Sequence, residues 1–112
     1  MPRDWQLRVE DILDAIARVQ RYLEGMGQAD FIADDRTVDA VVRNFGTIGE
    51  AVSHLPAEIR DAHPEIPWSR MKGLRNLVIH EYFGVSPEIL WSTAKEDRPP
   101  LVDRLQAMIN KA

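Results

Sequence analysis

Trp5, Val9, Ile12, Ile16, Val19 and Leu23 follow one another at spacings of 4, 3, 4, 3 and 4 residues. That period fits an amphipathic helix whose apolar stripe must be buried against other helices. It predicts a helix over 4–24, with Asp4 at its start and Gly25 ending it. A second stripe, Val38, Val41, Val42, Phe45, Ile48, Val52 and Leu55, predicts a helix over 37–55. Gly46 and Gly49 lie inside it. Each costs up to ~1 kcal/mol against alanine in a helix, so their presence implies close approach by a neighbouring helix. The segment between the two stripes, QADFIADDRTVDA, reads as a connector with Phe31 and Ile32 tucked into the bundle.

Pro56, Pro64 and Pro67 punctuate the next stretch, where AEIRDAH suits a short helix of two turns. A further helix is expected over 68–82, with Gly84 as its C-cap. Ser86 and Pro87 read as the N-cap and first residue of another, running to Lys95. DRPP is expected to break it, and 101–110 to close the chain as a last helix. No strand alternation or repeat is visible. At 112 residues and 45% apolar composition, the chain suits one domain, residues 1–112, with a real core. The expected fold class is all-α, a single-domain bundle of four or five helices.

Composition narrows the chemistry. With no cysteine, disulfides, thiol catalysis and cysteine-ligated metal centres are excluded. No apolar run approaches the ~20 residues of a membrane span, and MPRDWQLRVED is too charged for a secretory signal. A soluble, cytoplasmic protein is the expectation. The net charge of −4 does not favour nucleic-acid binding. Any such binding needs a local basic patch, and Arg70, Lys72 and Arg75 form one; the same cluster also suits a solvated helix face.

The most chemically loaded stretch is MKGLRNLVIHEYFGV, residues 71–85. On an ideal helix Met71, Leu74 and Val78 gather on one side, facing the core. Lys72, Asn76 and His80 are spaced by four on the other. Arg75 and His80 flank Asn76 and stand about 140° apart, and Tyr82 is almost in line with Arg75 two turns on. This set suits phosphate chemistry. Histidine titrates near neutrality and can take a proton from a ribose 2′-hydroxyl or give one to a leaving oxygen. Arginine stays charged, grips phosphate bidentately and can stabilise five-coordinate phosphorus. Asparagine can orient either neighbour. No metal or other cofactor is required, and DNA, lacking the 2′-hydroxyl, would be refused. Spacing alone does not separate this reading from an ordinary polar helix face.

RNLVIHEY resembles the Arg-Asn-x-x-x-His-x-Tyr signature of the HEPN superfamily. With NFGTIGEAV on the second helix, IPW before the motif helix and FGV…EILW after it, nearly the whole chain resembles the HepT-like toxins of HepT–MntA toxin–antitoxin systems. The resemblance implies a metal-independent endoribonuclease toxin working as a homodimer, the motif helices of two copies lining one cleft. It implies that Arg75 and His80 are the catalytic pair and Asn76 their positioning partner. Tyr82 matches the tyrosine that an MntA-like minimal nucleotidyltransferase antitoxin adenylylates, placing a bulky anion beside the cleft. The implied substrate is RNA, with tRNA one option.

Other residues stay open. Glu50 shares a stripe with Arg43, Thr47 and His54, and either pairs with an arginine near the cleft or faces water. Arg70 and Lys72 are placed to hold flanking phosphates. His54 and His63 have no metal-ligand spacing with each other or with His80. Trp68 and Trp91 read as bundle packing rather than base-stacking platforms. Two rival functions also stand: a non-catalytic substrate- or nucleotide-binding partner subunit of a nucleotidyltransferase, and a structural dimerisation module.

Overall fold

A computed structural model describes the backbone of residues 3–80, 86–95 and 98–111, and their side chains except at 3, 76–80, 98–100 and 111. Seven helices and no strand occur among the described residues: α1 (Arg3–Leu23), α2 (Gln28–Ile32), α3 (Asp35–Ser53), α4 (Ala57–Asp61), α5 (Trp68–His80), α6 (Pro87–Lys95) and α7 (Arg98–Lys111). The all-α class is as expected. Five helices are long, and α2 and α4 are single turns.

The two apolar stripes build the core. Val9, Ile12, Ile16, Val19 and Leu23 of α1 are buried, as are Val41, Val42, Phe45, Ile48 and Val52 of α3. α3 is the central helix, with α1 along one side and α5 along another. α7 closes against α1 through Leu105 and Met108. α6 covers α2 and α3 through Leu90 and Ala94. α1 stops where Gly25 takes φ 78°, a left-handed conformation that costs glycine little.

Three expectations need correction. The segment before α3 is more than a connector. Asp30 accepts a 2.9 Å hydrogen bond from the Gly27 N–H and starts α2. α2 in turn buries Phe31 completely, its ring 5.6 Å from that of Trp91. α3 begins two residues earlier than its apolar stripe suggests, because Asp34 caps it. The Asp34 carboxylate accepts from the Thr37 N–H at 3.2 Å and the Thr37 hydroxyl at 2.9 Å. These bonds, the hydroxyl's first, hold the Asp34 carboxyl below its ordinary pKa. Finally, α7 starts at Arg98, so Pro99 and Pro100 fall in its first turn and do not precede it. Proline is tolerated there because the first N–H groups of a helix have no intrahelical partner.

Trp68 fixes the entry to α5. It is buried, and its indole N–H lies 3.1 Å from the Arg60 carbonyl and 3.0 Å from that of His63. Trp91 packs partly buried against the core, with the Lys95 ammonium 4.7 Å above its ring. Both indoles therefore serve the bundle, as the sequence suggests. No described helix is long and apolar enough to cross a membrane.

Candidate active site on α5 and its support from α3

The site rests on the α3–α5 contact. A Cβ added at Gly49 of α3 would stand 2.6 Å from the Arg75 backbone nitrogen, 2.7 Å from its Cβ and 3.0 Å from its Cα. Only a hydrogen fits between the two helices at that point. This is the close approach the glycine spacing implies, and its partner is the motif arginine itself.

One residue further along α3, Glu50 reaches across the same contact. Its Oε1 lies 3.0 Å from Arg75 Nε. Of the two alternatives for Glu50, the structure has the ion pair. Both side chains remain close to half exposed, at 49% and 44%. In such a setting the pair contributes at most about 1 kcal/mol to stability. Its consequence is positional: a long, rotamer-rich side chain is held at its inner nitrogen. A guanidinium held at Nε keeps its outer Nη edge for a bidentate anion.

The other carboxylate oxygen of Glu50 faces His54 at the C-cap of α3, Oε2 to Nδ1 3.5 Å. His54 Nδ1 also lies 2.8 Å from the Glu50 carbonyl and 3.3 Å from Ser53 Oγ. A carbonyl only accepts, so Nδ1 carries the proton and Nε2 keeps the lone pair. The stripe through Glu50 and His54 was visible in the sequence; the bridge it makes to Arg75 needed the non-local α3–α5 contact.

On α5, Arg70 and Lys72 are exposed. Asn76 and His80 follow Arg75 on the same helix, so five residues of helical rise separate the Arg75 and His80 backbones, about 7.5 Å. The Asn76 and His80 side chains, and Tyr82 entirely, lie outside the described residues. Beside Glu50 a polar surface groove opens between α1 and α3, lined by Arg8, Asp11, Arg43 and Thr47. Among the described residues no three His, Asp or Glu side chains gather as a metal site would require.

A family profile described as Ribonuclease HepT-like matches residues 12–108, which take in α5 and its α3 support. The chain belongs to the ribonuclease HepT-like family. Three relatives accompany that membership. A protein of Thermococcus cleftensis carrying the name "Probable ribonuclease HepT" is 38% identical over 108 residues, 96% of this chain and 98% of the relative. A candidate RNase of Caldanaerobacter subterraneus subsp. tengcongensis is 36% identical over 103 residues, 92% of each chain. A candidate RNase of Methanocaldococcus jannaschii is 35% identical over 107 residues, 96% of this chain and 88% of the relative. No solved structure matches the HepT-like chain significantly.

Proposed function

We propose that this chain is an endoribonuclease that cleaves RNA without a metal ion, through Arg75 and His80 on α5. The reading is carried by one observation: in a chain of the ribonuclease HepT-like family, Arg75, on the same helix as His80, is held by Glu50 of α3. A held guanidinium can grip the phosphate diester and stabilise charge as phosphorus becomes five-coordinate. The ribose 2′-oxygen then attacks phosphorus and the bond to the 5′-oxygen breaks. An imidazole takes the 2′-hydroxyl proton, and a second proton reaches the leaving oxygen, giving a 2′,3′-cyclic phosphate and a 5′-hydroxyl.

Arg75 and His80 stand about 140° apart round one helix, so two copies facing across a two-fold axis suit this chemistry better than one. Each copy then lends one side chain to the other's phosphate. Asn76 lies between them as the orienting group, and Arg70 and Lys72 hold neighbouring phosphates. The biological setting we infer is a toxin, silenced when an MntA-like minimal nucleotidyltransferase adenylylates Tyr82. An AMP group there would crowd the cleft and repel RNA.

The acidic net charge, −4, favours a second reading, a non-catalytic partner subunit of such a nucleotidyltransferase. One experiment separates the two. Purified chain is incubated with labelled RNA in EDTA, alongside His80→Ala. We expect cleavage in EDTA and a loss of about 10²–10⁴-fold in the variant at unchanged melting temperature. Equal cleavage by His80→Ala rejects His80 as the proton carrier. No cleavage by either protein, with AMP transferred to Tyr82 on adding the partner and ATP, favours the subunit.

A further inference from the structure

The Glu50 carboxylate faces two side chains at once, Arg75 through Oε1 and His54 through Oε2. We propose that His54 is a positioning residue for Arg75: acting through Glu50, it sets how firmly the guanidinium is held and how strongly Arg75 takes an RNA phosphate. The RNA half rests on the endoribonuclease reading above; the linkage between the three side chains does not.

Neutral His54 leaves Glu50 as the full counter-charge of Arg75. That carboxylate competes with any phosphate for the same guanidinium. When Nε2 takes a second proton, the carboxylate is shared between two cations. The net charge of the three groups goes from zero to +1, and phosphate binding at Arg75 strengthens. Both ends of the chain are geometrically set. The Glu50 carbonyl 2.8 Å from Nδ1 keeps the ring against its own helix, and Gly49 keeps the Arg75 backbone against α3. An imidazole can carry or lack a charge near neutral pH, so the test spans that range.

Other charges surround this carboxylate. Arg43 on α3 and Arg8 and Asp11 on α1 line the groove beside it, and Lys72 stands three residues before Arg75 on α5. Arginine and lysine keep their charge throughout that range. Among the described residues beside Glu50, His54 supplies the imidazole. His63 lies elsewhere, against Glu65 at 3.6 Å.

The test uses the whole chain in three forms: wild type, His54→Lys and His54→Ala. In the first arm, without RNA, the Nε–Hε NMR resonance of Arg75 is followed from pH 5.5 to 8.5. It should move in the wild type with the midpoint of the His54 ring protons and stay flat in both variants. In the second arm, a fully 2′-O-methylated RNA, which cannot be cleaved, is titrated by fluorescence anisotropy. Wild-type affinity should rise about two- to five-fold towards pH 5.5 beyond any rise in His54→Ala, the size set by an exposed ion pair. His54→Lys, a permanent cation, should hold the tighter value at both ends.

A flat Arg75 resonance in the wild type overturns the proposal. So does a His54→Ala variant with the wild-type pH slope, which would assign the titration to another group. A moving resonance in a chain that binds RNA at no pH supports the His54–Glu50–Arg75 linkage and overturns the endoribonuclease reading instead.

Discussion

Gly49→Ala is the sharpest probe of how α3 positions Arg75. Two effects oppose each other. Replacing glycine inside a helix ordinarily gains up to about 1 kcal/mol. Here the new Cβ would meet the Arg75 nitrogen at 2.6 Å and its Cβ at 2.7 Å. Ordinary contact begins near 3.4 Å, so about 0.8 Å must open between the helices. The obstructing atoms are backbone and Cβ, so no rotamer change relieves them. Overpacking of this kind costs about 1–3 kcal/mol, which leaves the variant roughly 0–3 kcal/mol less stable. That lowers the melting temperature by several degrees and leaves a protein of ordinary stability folded.

The effect on chemistry should be larger. Misplacing a catalytic group by ~1 Å can cost 10²-fold, so RNA cleavage should fall on the order of 100-fold. Gly73→Ala is the internal control. It is the same substitution in α5, where an added Cβ meets nothing within 4 Å, so it should stabilise by up to about 1 kcal/mol. Thermal denaturation and cleavage assays on the two variants read both quantities. If Gly49→Ala stabilises as much as Gly73→Ala and cleaves at the wild-type rate, the tight α3–α5 contact is refuted as the basis of the site.

Two further perturbations test the scaffold. Trp68→Phe leaves the Arg60 and His63 carbonyls without the indole N–H and should destabilise by about 1–3 kcal/mol, read as a lower urea midpoint. Asp34→Asn keeps a capping side chain but removes a titrating one. Because the folded carboxyl is held below its ordinary pKa, its contribution is present above that ordinary value and is lost as pH falls through the depressed one. The stability gap between wild type and Asp34→Asn should therefore shrink on acidification below about pH 4, and a gap that widens would reverse the sign assigned to this cap.

What the sequence made legible follows from how local each signal is. The α1 and α3 stripes are periodic over five turns, and the burial of Val9, Ile12, Val41 and Val52 follows them. α2 is a single turn, too short for a period, and it exists to bury Phe31 against Trp91, sixty residues away in the chain. Pro99 and Pro100 carry the same local meaning whether a helix is ending or starting, so only the downstream packing of Leu105 and Met108 decides. At the site, glycine spacing announced a close neighbour but could not say that Arg75 was the atom set in question. Glu50 was ambiguous for the same reason, since its partner comes from another helix. His54 was legible as a stripe-mate of Glu50 and as a histidine without metal-ligand spacing; its contact with the far oxygen of Glu50 depends on a cap geometry that composition does not encode.

The half-exposed Arg75–Glu50 pair also shapes how ionic strength should act here. Added electrolyte weakens the attraction between Arg75 and any bound phosphate, and it equally screens the carboxylate that competes for the same guanidinium. The two effects partly cancel. Arg75 should thus contribute less to the salt slope than the ~0.7 counterions usually released per phosphate contact with a single strand. A cation already carrying its own internal anion has fewer mobile ions to give up.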